Sequence, residues 1–318
     1  MEATLPEVPI VDLGAFRSGE RAARAEIGAA VDRALCEIGF LVVINHGIDA
    51  TVVRDAFAAA ARFFDRDLDD KNTIRIVPGT LPRGYLPYGA VVLAQTEGKA
   101  TPPDLKESFG FGPEHFGENK WPEGDDAFRH DAVTCFEAIE SIMHEMLELF
   151  AVALGIGEDW FDDKFANHNS TLRLFNYPPL TEPPLPDQLR SGVHTDYGAL
   201  TLLAIGDDDP GGLQVLNRSK EWVDVHAPPN SFVINVGDLL MMWSNDRWLS
   251  NLHRVVLPDD PALAMRRRQS MGFFANPRAD VLIECLPNCS GPGNPAKHPV
   301  VEAGKHRLNK VKASEPKQ

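Results

Sequence analysis

The chain has 318 residues and is short of several things, each of which narrows what it does. It holds only four cysteines, Cys36, Cys135, Cys285 and Cys289. They are too few and too scattered for a disulfide framework, and no Cys-x-x-Cys pair marks a zinc site. Positive charge is scarce: 31 Lys and Arg face 46 Asp and Glu, a formal net charge of −15. Nucleic acid and anionic membrane surfaces both select a dominant basic field, so neither is an expected partner. No apolar run approaches the ~18–20 residues of a membrane span. The first residues, Met1-Glu2-Ala3-Thr4-Leu5-Pro6, carry neither a basic start nor an apolar signal core. The expectation is a cytoplasmic globular enzyme or binding protein. Internal repeats and low-complexity tracts are also missing.

Punctuation, by contrast, is plentiful. The 25 Pro and 25 Gly exceed ordinary usage and suit short strands joined by many turns. The first half still reads as helical. Residues 21–38 place Ala22, Ala25, Val31, Ala34, Leu35 and Ile38 on one stripe, stopped by Gly39 and followed by an apolar strand at 40–44. Asp49 is a good N-cap for a helix over 50–64, and 131–154 reads as a third helix ended by Gly155. Between them, residues 74–125 look like long functional loops. From about Asn169 the texture changes to short strands at 171–175, 199–205, 212–216, 222–225, 232–236, 253–256 and 269–274. Such a series predicts a β-sandwich or jelly roll.

The chemistry gathers in that second half. In His194-Thr195-Asp196, positions i and i+2 of an extended segment share a face, so imidazole and carboxylate converge. A lone His-x-Asp arises easily by chance. His253, at the start of another strand, supplies what is missing. Two His and one carboxylate, with positions left open, suit an Fe(II) that must bind O2 and a cosubstrate. Further on, Arg268-Gln269-Ser270 repeats the i, i+2 logic and sets a guanidinium beside a hydroxyl, a fit for a buried carboxylate. Other residues read as structural. His46 fits a turn and His168 a solvated loop histidine; Asp207 to Asp209 read as a solvated charged turn, and Met241, Met242, Trp243 and Trp248 as core or cavity wall.

These motifs resemble the Fe(II)/2-oxoglutarate-dependent dioxygenases of the isopenicillin N synthase-like family, from about Val8 to Pro277. Val8-Pro9-Ile10-Val11-Asp12-Leu13 and Asn45-His46-Gly47-Ile48 look like the N-terminal module. Asn176-Tyr177-Pro178-Pro179, His194-Thr195-Asp196, Asn235-Val236-Gly237-Asp238, His253-Arg254-Val255 and Arg268-Gln269-Ser270 follow in family order. The resemblance implies a mainly β fold with bracing α-helices, its core a double-stranded β-helix (jelly roll). It implies His194, Asp196 and His253 as iron ligands. Arg268 and Ser270 would bind the distal carboxylate of 2-oxoglutarate, with Tyr177 beside the cosubstrate. The implied reaction hydroxylates, desaturates or cyclises a small or medium-sized metabolite with O2, releasing succinate and CO2. Phe175 stands where several plant members have Asn. Arg83, Phe111 and Phe273 are the candidates for touching substrate, with specificity expected in loops 75–116 and 168–190 and in the C-terminal segment. The expected layout is an N-terminal module of helices and loops over 1–120, the oxygenase core over 121–290 and a tail or covering segment over 291–318. The competing expectations are an iron oxidase of the same family without 2-oxoglutarate, and a non-catalytic jelly-roll binding protein. Net charge is uneven: residues 291–318 carry six Lys or Arg against two Glu, a local +4 that leaves −19 on residues 1–290. An anionic cosubstrate therefore needs a placed cation, and Arg268 is the candidate.

Overall fold

The computed structural model describes residues 8–77 and 82–314. The expectations for Met1 to Pro6, for the 78–81 part of loop 75–116 and for residues 315–318 fall outside the described residues. Three long helices form where the apolar stripes put them: Arg21–Glu37, Ala50–Phe64 and Asp126–Leu154. Gly39 ends the first, at φ +70°, where a Cβ would stand 2.2 Å from the Leu249 carbonyl oxygen. Only glycine tolerates both the angle and the contact. The Asp49 carboxylate caps the second helix by accepting from the Thr51 N–H at 2.9 Å. The third starts five residues before the expected position, because Asp125 accepts from the Phe128 N–H at 3.1 Å and opens the helix upstream of its apolar stripe.

The strands are β1 (Ile10–Asp12), β2 (Phe40–Ile44), β3 (Gly84–Leu86), β4 (Glu107–Phe111), β5 (Thr171–Tyr177) and β6 (Ser191–His194). They continue with β7 (Leu200–Ile205), β8 (Leu213–Leu216), β9 (Trp222–Asp224), β10 (Phe232–Val236), β11 (His253–Val255) and β12 (Arg268–Ala275). One sheet runs β1-β2-β10-β7-β12-β5-β4-β3 and a second runs β6-β11-β8-β9. From β5 onward the chain passes back and forth between the two sheets, which is the jelly roll expected from the strand pattern. The first 120 residues do more than pack on this core. Their strands β1 to β4 extend both edges of the large sheet, β2 pairing antiparallel with β10 and β4 with β5. β3 and β4 lie in a stretch read as loop, and β6, the extended segment that ends at His194, is not among the expected strands; each is short and carries Gly, Ser or charge in place of an apolar run.

The three helices cover the outer face of the large sheet. There Phe63, Phe109, Phe111, Trp121 and Phe128 form an aromatic cluster with ring centroids 4.8 to 6.1 Å apart. Each of the four phenylalanine rings, fully buried, contributes about 1.5–3 kcal/mol. Between the sheets, Phe40, Val42, Val215, Val233 and Val255 make a second apolar cluster. The inter-sheet space beside it is a cavity of about 270 Å³. The Ala303–Ser314 helix reaches that cavity through Arg307, Val311 and Ser314. Among the described residues no helix is long and apolar enough to cross a membrane.

Candidate active site

Strand alternation decides which side chains reach the cavity. Along β12, Arg268, Ser270 and Phe274 line it; along β5, Thr171, Arg173, Phe175 and Tyr177 do. The two strands pair with Arg268 opposite Tyr177 and Ser270 opposite Phe175, so both inward rows lie side by side. The opposite row includes Phe273, which packs against Phe136 at 5.0 Å and belongs to the core outside the sheet. Phe111 does the same against Trp121 at 4.8 Å. Neither lines the cavity, so their expected place against substrate is corrected. Phe274, four positions from Ser270 and therefore on its face, takes that place in the wall.

His194 ends β6, Asp196 follows it, and His253 begins β11 directly opposite His194 in the register. One ligand atom from each lies within 4.8 Å of the others. The His194 and His253 Nε2 atoms stand 4.0 and 3.9 Å from Asp196 Oδ1. Each ring is aimed from behind. His194 Nδ1–H donates to the Gly192 carbonyl at 2.8 Å and His253 Nδ1–H to that of Asn251 at 3.1 Å. A carbonyl only accepts, so both Nδ1 atoms carry a proton and each ring turns its Nε2 toward Asp196. Burial first, and then the His253 ring and Lys106, hold His194 well below the ordinary imidazole value, keeping it neutral. The Asp196 carboxylate is oriented the same way. Its Oδ2 accepts from Thr201 Oγ1 at 2.5 Å and from Asn235 Nδ2 at 2.6 Å, leaving Oδ1 facing the imidazoles. Gly237 lets the chain pass this close: a Cβ there would sit 2.4 Å from the Gly198 carbonyl oxygen. Two imidazoles and a carboxylate on one side of an open cavity fit a divalent iron that keeps positions free.

Deeper in the wall, Arg268 is 1% exposed. Its Nε lies 2.8 Å from Asp209 Oδ1, its Nη1 is 3.4 Å from Ser270 Oγ, and its Nη2 has no partner. A buried guanidinium with an unused donor suits a carboxylate, and so fits the distal end of 2-oxoglutarate. The Tyr177 ring stacks 5.0 Å from that guanidinium. Asp209, expected in a solvated turn, leans inward to pair Arg268 while Asp207 and Asp208 stay exposed. Burial pushes its pKa up and Arg268 opposes the rise. No local pattern separates it from its two neighbours.

His46 and His168 are structural, though not both as expected. His46 Nε2–H donates to the Asn230 carbonyl at 3.0 Å while Nδ1 accepts from the Ile48 N–H, which fixes a turn. His168 is buried rather than solvated. It bonds Glu140 at 2.5 Å and accepts from the Ser170 N–H, tying the long helix to β5. Arg83, expected at substrate, is 2% exposed and lies behind the wall rather than in it. Arg173 and Arg307, given no role from the sequence, do line the cavity, as does Lys106, which donates to Ser191 Oγ at 2.6 Å. Thr201 and Asn235 also have no role assigned from the sequence, although Asn235 lies in the quoted Asn-Val-Gly-Asp run.

Two interleaved sheets with an imidazole, imidazole and carboxylate trio beside a buried arginine define a jelly-roll metalloenzyme of the non-haem type. The comparisons with known proteins make this specific. Residues 8–124 match the model for the non-haem dioxygenase in morphine synthesis N-terminal region, and residues 167–277 match that of the 2OG-Fe(II) oxygenase superfamily. The chain belongs to that superfamily and is an Fe(II)- and 2-oxoglutarate-dependent oxygenase. It is 32% identical to the 2-oxoglutarate-Fe(II) type oxidoreductase hxnY of Emericella nidulans, over 95% of this chain and 88% of that protein. It is 36% identical to the 2-oxoglutarate-dependent dioxygenase caaD of Aspergillus niger, over 80% of this chain and 81% of that one. Among solved structures it resembles a full-length Neurospora crassa protein in complex with alpha-KG, at TM-score 0.85 and 29% identity, covering 98% of this chain and 99% of that one. The same Neurospora protein has also been solved with alpha-KG and thymine, a small-molecule ligand.

Proposed function

We propose that His194, Asp196 and His253 hold the iron, that Arg268, Ser270 and Tyr177 hold 2-oxoglutarate, and that the enzyme hydroxylates a small organic molecule in the inter-sheet cavity. The convergence of three ligand atoms within 4.8 Å, with both imidazole Nδ1 protons tied to carbonyls, carries this reading. Bound iron and 2-oxoglutarate supply the oxidation of a substrate C–H bond by O2, the cosubstrate leaving as succinate and CO2. The protein's part is placement. Thr201 and Asn235 fix which carboxylate oxygen of Asp196 faces the metal, and the two carbonyls fix which imidazole nitrogen does. Arg268 offers its free Nη2 donor to the cosubstrate's distal carboxylate, with Ser270 as a second donor on the same face. Asp209 takes the Nε side of that guanidinium, so the fork presents one edge to the cavity. The apolar wall from Leu203, Leu213, Val255 and Phe274 excludes water from the space between metal and substrate.

Arg268→Lys tests the assignment. It keeps the charge and loses the planar fork, so the KM for 2-oxoglutarate should rise about 10–100-fold, the loss of one or two charge-assisted hydrogen bonds. Iron affinity should stay unchanged. A normal KM for 2-oxoglutarate in this variant would remove Arg268 from the cosubstrate site.

A further inference from the structure

The cavity has a second concentration of positive charge, apart from Arg268. Arg83 precedes β3, Arg173 sits mid-β5, and Arg307 comes from the Ala303–Ser314 helix. Their bonds are few and long. Arg173 Nη1 donates to Ser108 Oγ at 3.4 Å; Arg307 donates to the Asn169 carbonyl at 3.2 Å and to Thr171 Oγ1 at 3.4 Å. All three side-chain nitrogens of Arg83 are buried without a partner. Among the described residues none of the three pairs with a carboxylate, whereas neighbouring arginines do: Arg267 with Asp65, Arg268 with Asp209 and Arg278 with Asp280.

Arg83 is buried and Arg173 and Arg307 are half-buried, and like charges gathered out of water in this way destabilise a protein unless something answers them. Burial, and then mutual repulsion, brings Arg83 down to about 10, with Arg307 and Arg173 the repelling neighbours; Arg173 and Arg307 are likewise lowered to about 10, chiefly by burial. All three stay protonated at neutral pH. The fold makes room for them. A Cβ at Gly112 would lie 1.9 Å from Arg83 Nη1, so glycine there leaves the guanidinium its space. Elsewhere the cavity wall has a large apolar share, from residues including Ile76, Leu86, Val91, Leu93, Phe274 and Val311.

We infer that the substrate is an organic carboxylate on a largely apolar body, its anionic group held by Arg173 and Arg307 with Arg83 reinforcing them from behind. The planar guanidinium forks match a carboxylate, and their unused donors supply the hydrogen bonds. The apolar wall takes the rest of the molecule and sets one of its C–H bonds beside the metal ligands. This deepens the oxygenase reading and rests on it.

The test uses the full chain loaded with redox-inert Mn(II) and saturating 2-oxoglutarate, so that added acids cannot simply occupy the cosubstrate site. Calorimetry and thermal shift then compare 4-phenylbutyrate, cinnamate and decanoate with their primary amides. At least one acid should bind, and its amide about tenfold or more weaker, as the loss of a charge-assisted hydrogen bond requires. Arg307→Met and Arg173→Met should weaken that acid by a similar factor, and Arg307→Lys should recover part of the loss. The 2-oxoglutarate affinity of each variant doubles as a folding control and should match wild type. Equal binding of acid and amide, no binding of any acid, or variants that hold the acid as wild type does would each overturn the inference. A wild-type chain that fails to bind 2-oxoglutarate would overturn instead the oxygenase reading beneath it.

Discussion

Thr201→Val removes one hydroxyl while keeping the outline of the side chain, and so isolates a single hydrogen bond to the carboxylate of Asp196. That carboxylate accepts two bonds on Oδ2, from Thr201 at 2.5 Å and Asn235 at 2.6 Å, both in a buried setting. A hydrogen bond to a charged group is worth about 1.5–3 kcal/mol. Converted at 1.4 kcal/mol per factor of ten, this is about 10–100-fold. The bond exists in the metal-free protein too, so its loss divides between stability and metal affinity. The share that falls on the metal is what orientation of Oδ1 contributes, and outer partners of this kind typically carry about 10-fold or more. Anaerobic calorimetry with Fe(II), repeated with Co(II) as an oxidation-resistant stand-in, should show Thr201→Val binding about tenfold more weakly. Asn235→Leu should do the same, and the gap in melting temperature between loaded and metal-free protein should narrow in both. If both variants bind metal within about twofold of wild type while remaining folded, the two bonds do not aim the carboxylate and the reasoning fails.

Two further outcomes follow from geometry. Phe273→Ala should cost about 3–5 kcal/mol of stability because the ring is wholly within the core. Phe274→Ala should cost less and instead change the KM for the organic substrate; chemical denaturation and steady-state kinetics on the pair check the alternation, and the reverse pattern would contradict it. The Glu140 carboxylate is held below its ordinary range, chiefly by the hydrogen bond from His168. A depressed folded value stabilises above the ordinary carboxylate pKa and loses that contribution as pH falls through the depressed value. Glu140→Gln should therefore melt earlier than wild type at neutral pH, with the difference shrinking on acidification; a gap that widens in acid would be the wrong sign.

What the sequence makes legible follows from distance along the chain. His194 with Asp196, Arg268 with Ser270, and the capped helices at Asp49 and before Gly155 are local patterns; His253, far along the chain, joins the first pair only through the pairing of β11 with β6. Phe273 and Phe274 show a legible feature left unused: once Arg268 and Ser270 face inward, parity alone assigns Phe274 to the cavity. Arg307 is different. Its side chain acquires meaning only when the C-terminal helix folds back across the mouth, and nothing in residues 303–314 announces that return. His168 and Asp209 mislead for a related reason. Both lie in polar, loop-like surroundings, and each is drawn inward by one distant partner, Glu140 or Arg268.

The pairing of β2 with β10 has a consequence for how the chain is made. Phe40 to Ile44 is an apolar strand, four of its five residues buried, and its antiparallel partner is Phe232 to Val236. From Ile44 to Val236 is 192 residues (236 − 44), roughly 10–40 s of synthesis at ~5–20 residues per second. During that time β2 has only the short parallel β1 beside it, and the rest of its edge is open. The nascent protein therefore spends that interval with one edge of an apolar strand unpaired.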